Sequence, residues 1–279
     1  MTLISIYIPT RNRLPLLLRA VASCLSQTFT DFELIIVDDA STPEIQQQIS
    51  LLSKLDGRIR IILQPTQQGA SAARNAAIMQ ARGEFITGLD DDDEFTPERL
   101  ETFLSAWRSE PDHAFLCTAS CLLLSGSKRV TAFMGRKVIR LADLLSANVA
   151  GNQVFTRTEY LRAVGGFDVE QTSCQDYDTW VRLVERFGSA LRLAAVTQIV
   201  HQEHAAGRIS ASPKRLAGYR RFLHKHQHLM TPTQRRSQLF LQQLYDENVS
   251  VWRLLWRAPL AMYPIALKVC LLRWLGYSL

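Results

Sequence analysis

Cysteine is scarce in this 279-residue sequence, and its spacing excludes two classes of cross-linked domain. The cysteines are odd in number, widely separated and never arranged as C-x-x-C. A disulfide framework needs paired cysteines, and a zinc site needs closely spaced ligands, so neither is indicated. We therefore expect a reduced, cytosolic environment. The five residues are Cys24, Cys117, Cys121, Cys174 and Cys270.

Long hydrophobic runs are also missing. The apolar stretch near the N-terminus is too short for a signal peptide, and no basic residue precedes it. In the C-terminal segment, the longest uncharged run is residues 258–267, which is ten residues long and contains Pro259 and Pro264. A helix that spans a bilayer needs about 20 apolar residues, so we expect no transmembrane segment.

Glycine-rich phosphate loops are absent from the sequence. Neither G-x-G-x-x-G nor G-x-x-x-x-G-K-[ST] occurs, which excludes the usual dinucleotide-binding and P-loop classes. A sugar nucleotidyltransferase would also carry such a loop after its first strand, where this chain has "PTRNR". Without the loop, a bound diphosphate would need a metal ion to neutralise it.

The charge is unevenly distributed along a chain of ordinary globular composition, with 47% hydrophobic and 21% charged residues. Residues 207–279 contain 12 Lys and Arg but only two acids, whereas residues 1–206 contain 20 basic and 24 acidic residues. The basic C-terminal segment is therefore expected to meet an anionic partner.

Alternating apolar and helical segments predict a doubly wound, mostly parallel sheet. Nearly continuous apolar runs, typical of strands covered on both faces, are "LISIYI", "FELIIV", "RIRIIL" and "EFITGL". The helical segments between them are "LPLLLRAVASCLSQ", "PEIQQQISLLSKL" and "GASAARNAAIMQARG". The last of these ends in Gly83, a plausible helix C-cap.

Polar residues follow three of these strands, which is where ligands bind in open α/β sheets. The first strand ends in Pro9, Thr10, Arg11 and Asn12, and the second in Asp38 and Asp39. The fourth runs into five adjacent carboxylates, residues 90–94, which we call the acidic run. A helix start with Thr96 as the cap explains Thr96-Pro97-Glu98 but not the aspartates before it. Oxygen ligands of this kind suit Mg²⁺ or Mn²⁺.

Taken together, the motifs resemble glycosyltransferase family 2 over roughly residues 3–204. The matching segments are "SIYIPTRNR", "SQTFTDFELIIVDDAS", "GASAARNAAIMQARGEFITGLDDDD" and "VGGFD…CQDYDTWVRL". The resemblance implies a GT-A fold and transfer of a sugar from a nucleotide diphosphate donor with inversion. The sequence departs from the family with "DDAS" in place of "DDGS", and with Arg11 where an aromatic residue often stands.

The resemblance also implies roles for individual residues. Asp39 would contact the nucleotide base, Asp90 and Asp91 would lie near the ribose and diphosphate, and Asp92 would bind Mn²⁺ or Mg²⁺. Apart from the resemblance, their place at a strand end predicts that Pro9, Thr10, Arg11 and Asn12 line the donor site, and Arg74 is a further candidate there. His204 would lie near the metal or diphosphate, with His201 as the competing candidate. The acceptor-side loop would be Gly165, Gly166, Phe167 and Asp168.

Asp176 is the expected general base of the inverting transfer. Helical spacing places it on one apolar face with Trp180, Leu183, Val184 and Phe187. The competing interpretation is a carboxylate that caps the helix, and the resemblance favours catalysis. Asp178 lies off this face and is predicted to pair with Arg182 at i+4.

Several motifs carry two interpretations. Arg74 and Asn75 either support the diphosphate or attach the Ala-rich helix to the sheet. Gly165 and Gly166 either let the backbone approach the sugar or end a helix. The C-terminal segment mixes Trp and Arg around an apolar body, which favours peripheral contact with an anionic membrane over packing on the catalytic domain or dimerisation. Its aliphatic content disfavours nucleic acid.

The sequence therefore predicts an α/β protein with a GT-A sheet and a C-terminal helical extension. Residues 1–110 would form the nucleotide-sugar-binding half, 111–206 the acceptor half, and 207–279 the extension. The predicted activity is transfer from a nucleotide-diphosphate sugar, with a UDP-sugar favoured, to a glycan or lipid-linked acceptor in surface polysaccharide or lipopolysaccharide synthesis. An inactive GT-A scaffold and a sugar nucleotidyltransferase are the alternatives.

Overall fold

The computed structural model describes residues 3–124, 128–202 and 214–244, together with Trp252, Trp256, Ala258, Tyr263 and Leu267. Its strands are β1 (Ile4–Thr10), β2 (Phe32–Asp38), β3 (Ile59–Leu63), β4 (Phe85–Gly88), β5 (Glu94–Phe95), β6 (Leu116–Leu124), β7 (Lys128–Ala132), β8 (Lys137–Ile139), β9 (Phe155–Arg157) and β10 (Ala190–His201). Its helices are α1 (Leu14–Leu25), α2 (Pro43–Leu51), α3 (Ala70–Gln80), α4 (Arg99–Ser109), α5 (Leu141–Ser146), α6 (Thr158–Ala163), α7 (Gln175–Phe187), α8 (Lys214–His226) and α9 (Pro232–Leu244). Two 3-10 turns, Leu52–Lys54 and Gln227–Leu229, follow α2 and α8.

One sheet contains all ten strands, in the order β3-β2-β1-β4-β9-β6-β10-β5, with β7 beside β6 and β8 beside β10. Strands β3, β2, β1 and β4 are parallel, as the continuous apolar runs predict. Strand β9 is antiparallel to β4, so the direction of the sheet changes there. The sheet is the predicted mostly parallel α/β architecture, and helices follow it at the C-terminal end of the described chain.

The chain divides into two compact units. The first comprises Met1–Leu141, Val149–Val169 and Gln175–Ala205, and the second comprises Ala142–Asn148, Glu170–Cys174 and Ala206–Leu279. The core of the first unit is the apolar face shared by β1, β2 and α1, with Phe85, Phe103 and Phe155 stacked beside it. In the second unit, Phe222 and Phe240 are buried on α8 and α9.

A buried arginine, Arg99, ties three elements of the first unit together. Its guanidinium lies 4.4 Å from the ring centroid of Phe95 and donates hydrogen bonds to the hydroxyls of Thr118 and Thr197. No carboxylate pairs with it among the described residues, so burial lowers the pKa of Arg99 to about 9. These contacts hold β5, β6 and β10 against the start of α4.

Two predicted helix boundaries are wrong. Helix α3 ends at Gln80, with Ala81 in an extended conformation, so Gly83 does not cap it. A Cβ at Gly83 would lie 2.5 Å from the Ser5 amide nitrogen, so this glycine permits close approach to β1. Helix α4 begins at Arg99 rather than after Thr96, because the Thr96 amide donates to the Thr197 carbonyl beside β5.

The backbone conformation of Ala40, which follows Asp39 after β2, explains why the family usually has glycine at this position. Ala40 stands in "DDAS" where "DDGS" is usual, and it has a φ of 57°. This left-handed conformation costs an L-residue roughly 1–2 kcal/mol, whereas glycine adopts it freely.

We expect Ala40→Gly to raise the free energy of unfolding by about 0.5–1 kcal/mol, measured by urea denaturation. The matched control is Ala22→Gly, at an exposed position of helix α1, which should lower the free energy of unfolding by about 1 kcal/mol because glycine is a poor helix former. Destabilisation by both changes would show that Ala40 is not strained.

Candidate active site

The ends of β1 and β4 meet at the acidic run. The Thr10 hydroxyl donates to Asp91 Oδ2 at 2.8 Å. The Arg13 guanidinium donates to Asp91 Oδ1 and to Asp92 Oδ2, both at 2.7 Å. Polar residues at the end of the first strand therefore fix the middle of the acidic run, as the convergence of strand ends predicts.

The outer aspartates of the run have different partners. Arg74 Nη2 lies 2.8 Å from Asp90 Oδ1, and the Asn152 amide reaches both Asp90 and Asp93 at 3.2 Å. Asp93 Oδ1 also accepts from the His201 backbone amide at 3.1 Å. Asp90 is thus held from α3, and Asp93 from the loop before β9 and from β10.

Glu94, the last acid of the run, belongs to a separate interaction. It lies in β5, and its Oε1 is 2.6 Å from His201 Nε2 and 3.5 Å from Arg19 Nε. The five carboxylates are therefore distributed over several donors. Crowding of like charges is relieved by fixed arginines and by amide hydrogen bonds.

Burial still raises the pKa values of two aspartates. It brings the pKa of Asp91 to about 6, although Arg13 and Thr10 oppose the shift. Burial, with the nearby charges of Asp90 and Asp92, raises the pKa of Asp93 well above its usual range. Burial and neighbouring acids thus disfavour the ionised forms of Asp91 and Asp93.

Asp176 lies in the first turn of α7, within electrostatic reach of the acidic run. Burial raises the pKa of Asp176 to about 6, the Tyr177 amide and Arg74 lower it, and Asp90 raises it. Trp180, Leu183 and Val184 are buried as the predicted face requires, and Asp176 keeps partial exposure. The helix is buried more widely than one stripe, because Asp178 is also inaccessible.

The Asp178–Arg182 pair is confirmed as a structural contact. The two side chains approach to 2.7 Å, and the Arg182 guanidinium also donates to the carbonyl oxygens of Val164 and Gly166. Arg182 therefore fixes the loop that follows α6.

That loop contains the predicted acceptor-side residues, and its glycines end a helix, which is one of their two interpretations; approach of the backbone to a sugar stays a prediction. Gly165 and Gly166 have φ values of 78° and 68° and follow the end of α6. A Cβ at Gly166 would lie 2.3 Å from Asn75 Oδ1, and Asn75 exchanges hydrogen bonds with the Phe167 backbone. Asn75 thus attaches the loop to α3. The Phe167 ring is buried edge-on against Tyr7 and Trp180, and Asp168 follows at partial exposure.

The second strand supplies a buried pair of acids. Asp38 accepts from the Ser41 amide and the Gln46 side chain, so it shapes the turn. Asp39, 5% exposed, accepts from the backbone amides of Gln68 and Gly69 at 2.6 and 2.8 Å. Its carboxylate therefore lies beside the start of α3.

The remaining residues after β1 differ in exposure. Pro9 pairs with Val37 within the sheet, whereas Arg11 is exposed. Asn12 links its strand end to the turn after β2, since its amide donates to Ser41 and its side chain accepts from Thr42.

The predicted metal ligands are only partly described. Asp92 accepts from Arg13 through one oxygen, and its other oxygen has no donor in the described part of the chain. His204 lies outside the described residues. Within residues 3–124, 128–202 and 214–244, no three Asp, Glu, His or Cys side chains surround a common point where a metal would bind.

Sequence reasoning missed five residues that contact the acidic run, among them Arg19, which reaches Glu94 from α1. Arg13 stands in the quoted "PTRNR" but was given no role, although its position directly after the strand end was a usable signal. Asn152, Gln153 and Gln198 bind Asp90 or Asp93. They come from distant segments, and no local pattern identifies them.

Comparison with known proteins gives the family. A model described as "Glycosyl transferase family 2" matches residues 5–136. The chain is 40% identical over 260 residues, covering 91% of both sequences, to the Escherichia coli (strain K12) glycosyl transferase WcaA, provisionally named for colanic acid biosynthesis. The chain belongs to glycosyl transferase family 2. It is a glycosyltransferase, as the motifs predicted.

A second relative matches this glycosyltransferase over a shorter region. The Campylobacter jejuni GalNAc(5)-diNAcBac-PP-undecaprenol beta-1,3-glucosyltransferase is 34% identical over 154 residues. The match covers 53% of the present chain and 49% of that protein.

Solved structures confirm the GT-A fold of this glycosyltransferase. S. aureus TarS 1–349 in complex with UDP-GlcNAc aligns with a TM-score of 0.66 at 18% identity, over 96% of this chain and 79% of that one. The Pyrobaculum calidifontis mannosyltransferase PcManGT, in complex with GDP-Man and Mn²⁺, aligns with a TM-score of 0.62 at 16% identity, over 99% and 76%. At these identities the likeness concerns the fold.

The raised pKa of Asp176 predicts a stability effect. A carboxyl whose pKa is raised on folding stabilises the fold below its unfolded value of 3.8, and that contribution is lost as the pH rises through about 6. Asp176→Asn should therefore raise the free energy of unfolding at pH 7.5 by on the order of 1 kcal/mol. The gain should vanish near pH 4, as measured by urea denaturation of the metal-free protein.

Asp178→Asn is the matched control, because it should destabilise the protein by removing the buried carboxylate that pairs with the partly buried Arg182. If Asp176→Asn were also destabilising at pH 7.5, the Asp176 carboxylate would be a capping group and not a strained one.

Proposed function

We propose that the protein is an inverting glycosyltransferase that uses a nucleotide-diphosphate sugar, with a UDP-sugar favoured. The observation that carries this proposal is the placement of Asp176. It lies close enough to Arg74 and Asp90 to feel their charges, yet stands on a different element from the acidic run. One end of the sheet thus offers a donor site and a separate carboxylate for the acceptor.

On the donor side, the roles assigned by resemblance are retained as proposals. Asp39 would contact the base, Asp90 and Asp91 the ribose and diphosphate, and Arg74 the phosphates. Residues 9–12 would form the floor of the donor site. Thr10 and Asn12 support this arrangement, because their hydrogen bonds join the end of β1 to Asp91 and to the turn after β2.

The residues present fit a divalent cation such as Mn²⁺ or Mg²⁺. Asp92 offers a carboxylate oxygen with no donor among the described residues, and hard cations prefer oxygen ligands. We propose Asp92 as a ligand, and His204, outside the described residues, as a second. When bound, the ion would stabilise the charge that develops on the leaving nucleoside diphosphate.

Asp176 would act as the general base. With a pKa of about 6 it is ionised at neutral pH, and its partial exposure lets an acceptor hydroxyl reach it. The carboxylate would accept the hydroxyl proton as the acceptor oxygen bonds to the anomeric carbon and the nucleoside diphosphate leaves. The loop of Gly165, Gly166, Phe167 and Asp168 would border the acceptor, held in place by Asn75 and Arg182.

The names of the relatives support a setting in surface polysaccharide synthesis. WcaA is named for colanic acid biosynthesis, and the Campylobacter jejuni relative acts on an undecaprenol-linked glycan by name. We therefore propose a glycan or lipid-linked acceptor. Lipopolysaccharide is included in this class. A scaffold without turnover and a sugar nucleotidyltransferase are the alternatives.

Contact with the cytosolic face of an anionic membrane is a further part of this proposal. Trp252 and Trp256, 79% and 85% exposed, are helical and one turn apart, and so are the exposed Tyr263 and Leu267. In the described part of the chain no helix is long and apolar enough to cross a membrane. Exposed aromatic and aliphatic side chains within a segment of 12 basic residues and two acids fit a lipid headgroup layer.

The first experiment is calorimetric binding of UDP, GDP and dTDP with and without Mn²⁺. Tight binding of one nucleotide that depends on Mn²⁺ is expected, and it would name the donor group. If folded protein bound none of them, the scaffold alternative would replace the glycosyltransferase mechanism.

Two substitutions separate donor binding from transfer. Asp92→Asn should abolish Mn²⁺-dependent nucleotide binding, and unchanged affinity would remove Asp92 from the metal site.

Asp176→Asn should keep nucleotide binding but lower turnover at least about 100-fold, because no general base then takes the proton of the sugar acceptor's hydroxyl. The rate with the unmodified enzyme should fall as the pH drops below about 6. Turnover retained by Asp176→Asn would refute the base assignment.

Membrane contact is tested by sedimentation with vesicles of phosphatidylglycerol and phosphatidylcholine. The double change Trp252→Ser/Trp256→Ser should weaken binding at least about tenfold, since two large side chains leave the headgroup layer. Leu51→Ser/Leu55→Ser, which removes two exposed leucines of the first unit, is the control and should bind like the unmodified protein. Equal binding by both variants would exclude the tryptophans as the contact.

A further inference from the structure

One guanidinium spans two carboxylates of the acidic run. Arg13 Nη1 lies 2.7 Å from Asp91 Oδ1, and Arg13 Nη2 lies 2.7 Å from Asp92 Oδ2. Thr10 holds the second oxygen of Asp91 at 2.8 Å. A planar fork of donors can bridge two carboxylates in this way, whereas a lysine ammonium cannot. Arg13 therefore places a positive charge on Asp92, the carboxylate whose second oxygen is the proposed cation ligand, and a bound cation would be repelled by that charge.

The carboxylates and the guanidinium of this ion pair differ in solvent exposure and therefore in how easily they can move. The side chains of Asp91 and Asp92 are 5% and 19% exposed, while that of Arg13 is 40% exposed. The Arg13 backbone is fixed, because its carbonyl accepts from the amides of Leu16 and Leu17 at the start of α1. The carboxylates are thus held in place, and the guanidinium is the partner that can move without any change in the fold.

Arg74 provides an internal contrast. It also pairs with the acidic run, 2.8 Å from Asp90, but its side chain is only 13% exposed and lies over the Phe167 ring at 5.3 Å. Packing on that ring and burial hold Arg74 in position. Of these two arginines, Arg13 is the one suited to exchange.

We propose that Arg13 is an exchangeable counter-cation, which holds Asp91 and Asp92 while the donor site is empty and moves to the donor's diphosphate when a divalent cation takes its place. The inference rests on the proposed function. In the absence of a nucleotide, Mn²⁺ must then displace the Arg13 guanidinium although no phosphate is present to pair with it. With a nucleoside diphosphate present, the displaced guanidinium gains a bidentate phosphate partner. Metal and nucleotide should therefore bind cooperatively, each raising the affinity for the other by the same factor.

The test is Mn²⁺ titration, followed by the electron paramagnetic resonance signal of the free ion, with and without UDP. Arg13→Gln should bind Mn²⁺ alone about fivefold or more tightly than the unmodified protein, because no internal cation competes. UDP should increase the Mn²⁺ affinity of Arg13→Gln by a smaller factor than that of the unmodified protein. The Mn²⁺–UDP complex that forms in solution is subtracted in both cases. Arg13→Lys keeps the charge but cannot bridge both carboxylates, and its Mn²⁺ affinity should lie between the two.

Arg58→Gln is the matched control. Arg58 belongs to the same unit and forms a 2.7 Å ion pair with Asp56, so the change removes one positive charge away from the acidic run. Its Mn²⁺ affinity should equal that of the unmodified protein. Circular dichroism and thermal unfolding establish that each variant is folded, and Arg13→Lys carries the test if Arg13→Gln does not fold.

The outcomes separate the inference from the proposed function. If the unmodified protein binds UDP with Mn²⁺ but Arg13→Gln binds free Mn²⁺ no more tightly, the counter-cation role is wrong and the donor site stands. If Arg13→Gln and Arg58→Gln increased the Mn²⁺ affinity equally, the increase would come from the change in net charge alone, and the inference would also be wrong. No binding of Mn²⁺ or UDP by any folded variant would overturn both proposals.

Discussion

Crowding of negative charge at the end of β4 is the constraint on which the rest of the site depends. The acidic run follows directly from a buried strand, so its carboxylates cannot all turn to solvent. The fold answers with donors from the end of β1, from α3, and from the segments beside β9 and β10. Elements distant in sequence are thereby joined around one charged centre.

The same centre sets the chemistry of the candidate base. Arg74 links the acidic run and Asp176 electrostatically, since it pairs with Asp90 and also lowers the pKa of Asp176. A change of charge at the acidic run would therefore shift the pKa of Asp176. Burial opposes Arg74 and leaves Asp176 with a pKa of about 6, which is useful for proton transfer and unfavourable for stability.

The sequence was sufficient for the parallel half of the sheet, because β1, β2, β3 and β4 are continuous apolar runs with polar residues after three of them. It was insufficient where tertiary contacts decide. Strand β5 has two residues and exists because β10 pairs with it, which moved the start of α4. Asn152 and Gln198 reach the acidic run from segments whose position no local pattern sets. The sequence shows Ala40 where the family usually has glycine, and only the structure shows that this position has a left-handed backbone conformation, which glycine adopts more easily.

Exposure decides how the two arginines of the site can act. A buried guanidinium such as Arg74, packed on Phe167, keeps its pairing whatever binds, because leaving Asp90 would leave it without a carboxylate in a poorly hydrated place. Arg13, which reaches the run from a solvent-facing position, loses less on leaving, because water or a phosphate can receive it. Similar ion-pair distances are therefore compatible with different roles. Under the two proposals, Arg74 maintains the charge balance of the site, and Arg13 lets that balance change when a donor binds.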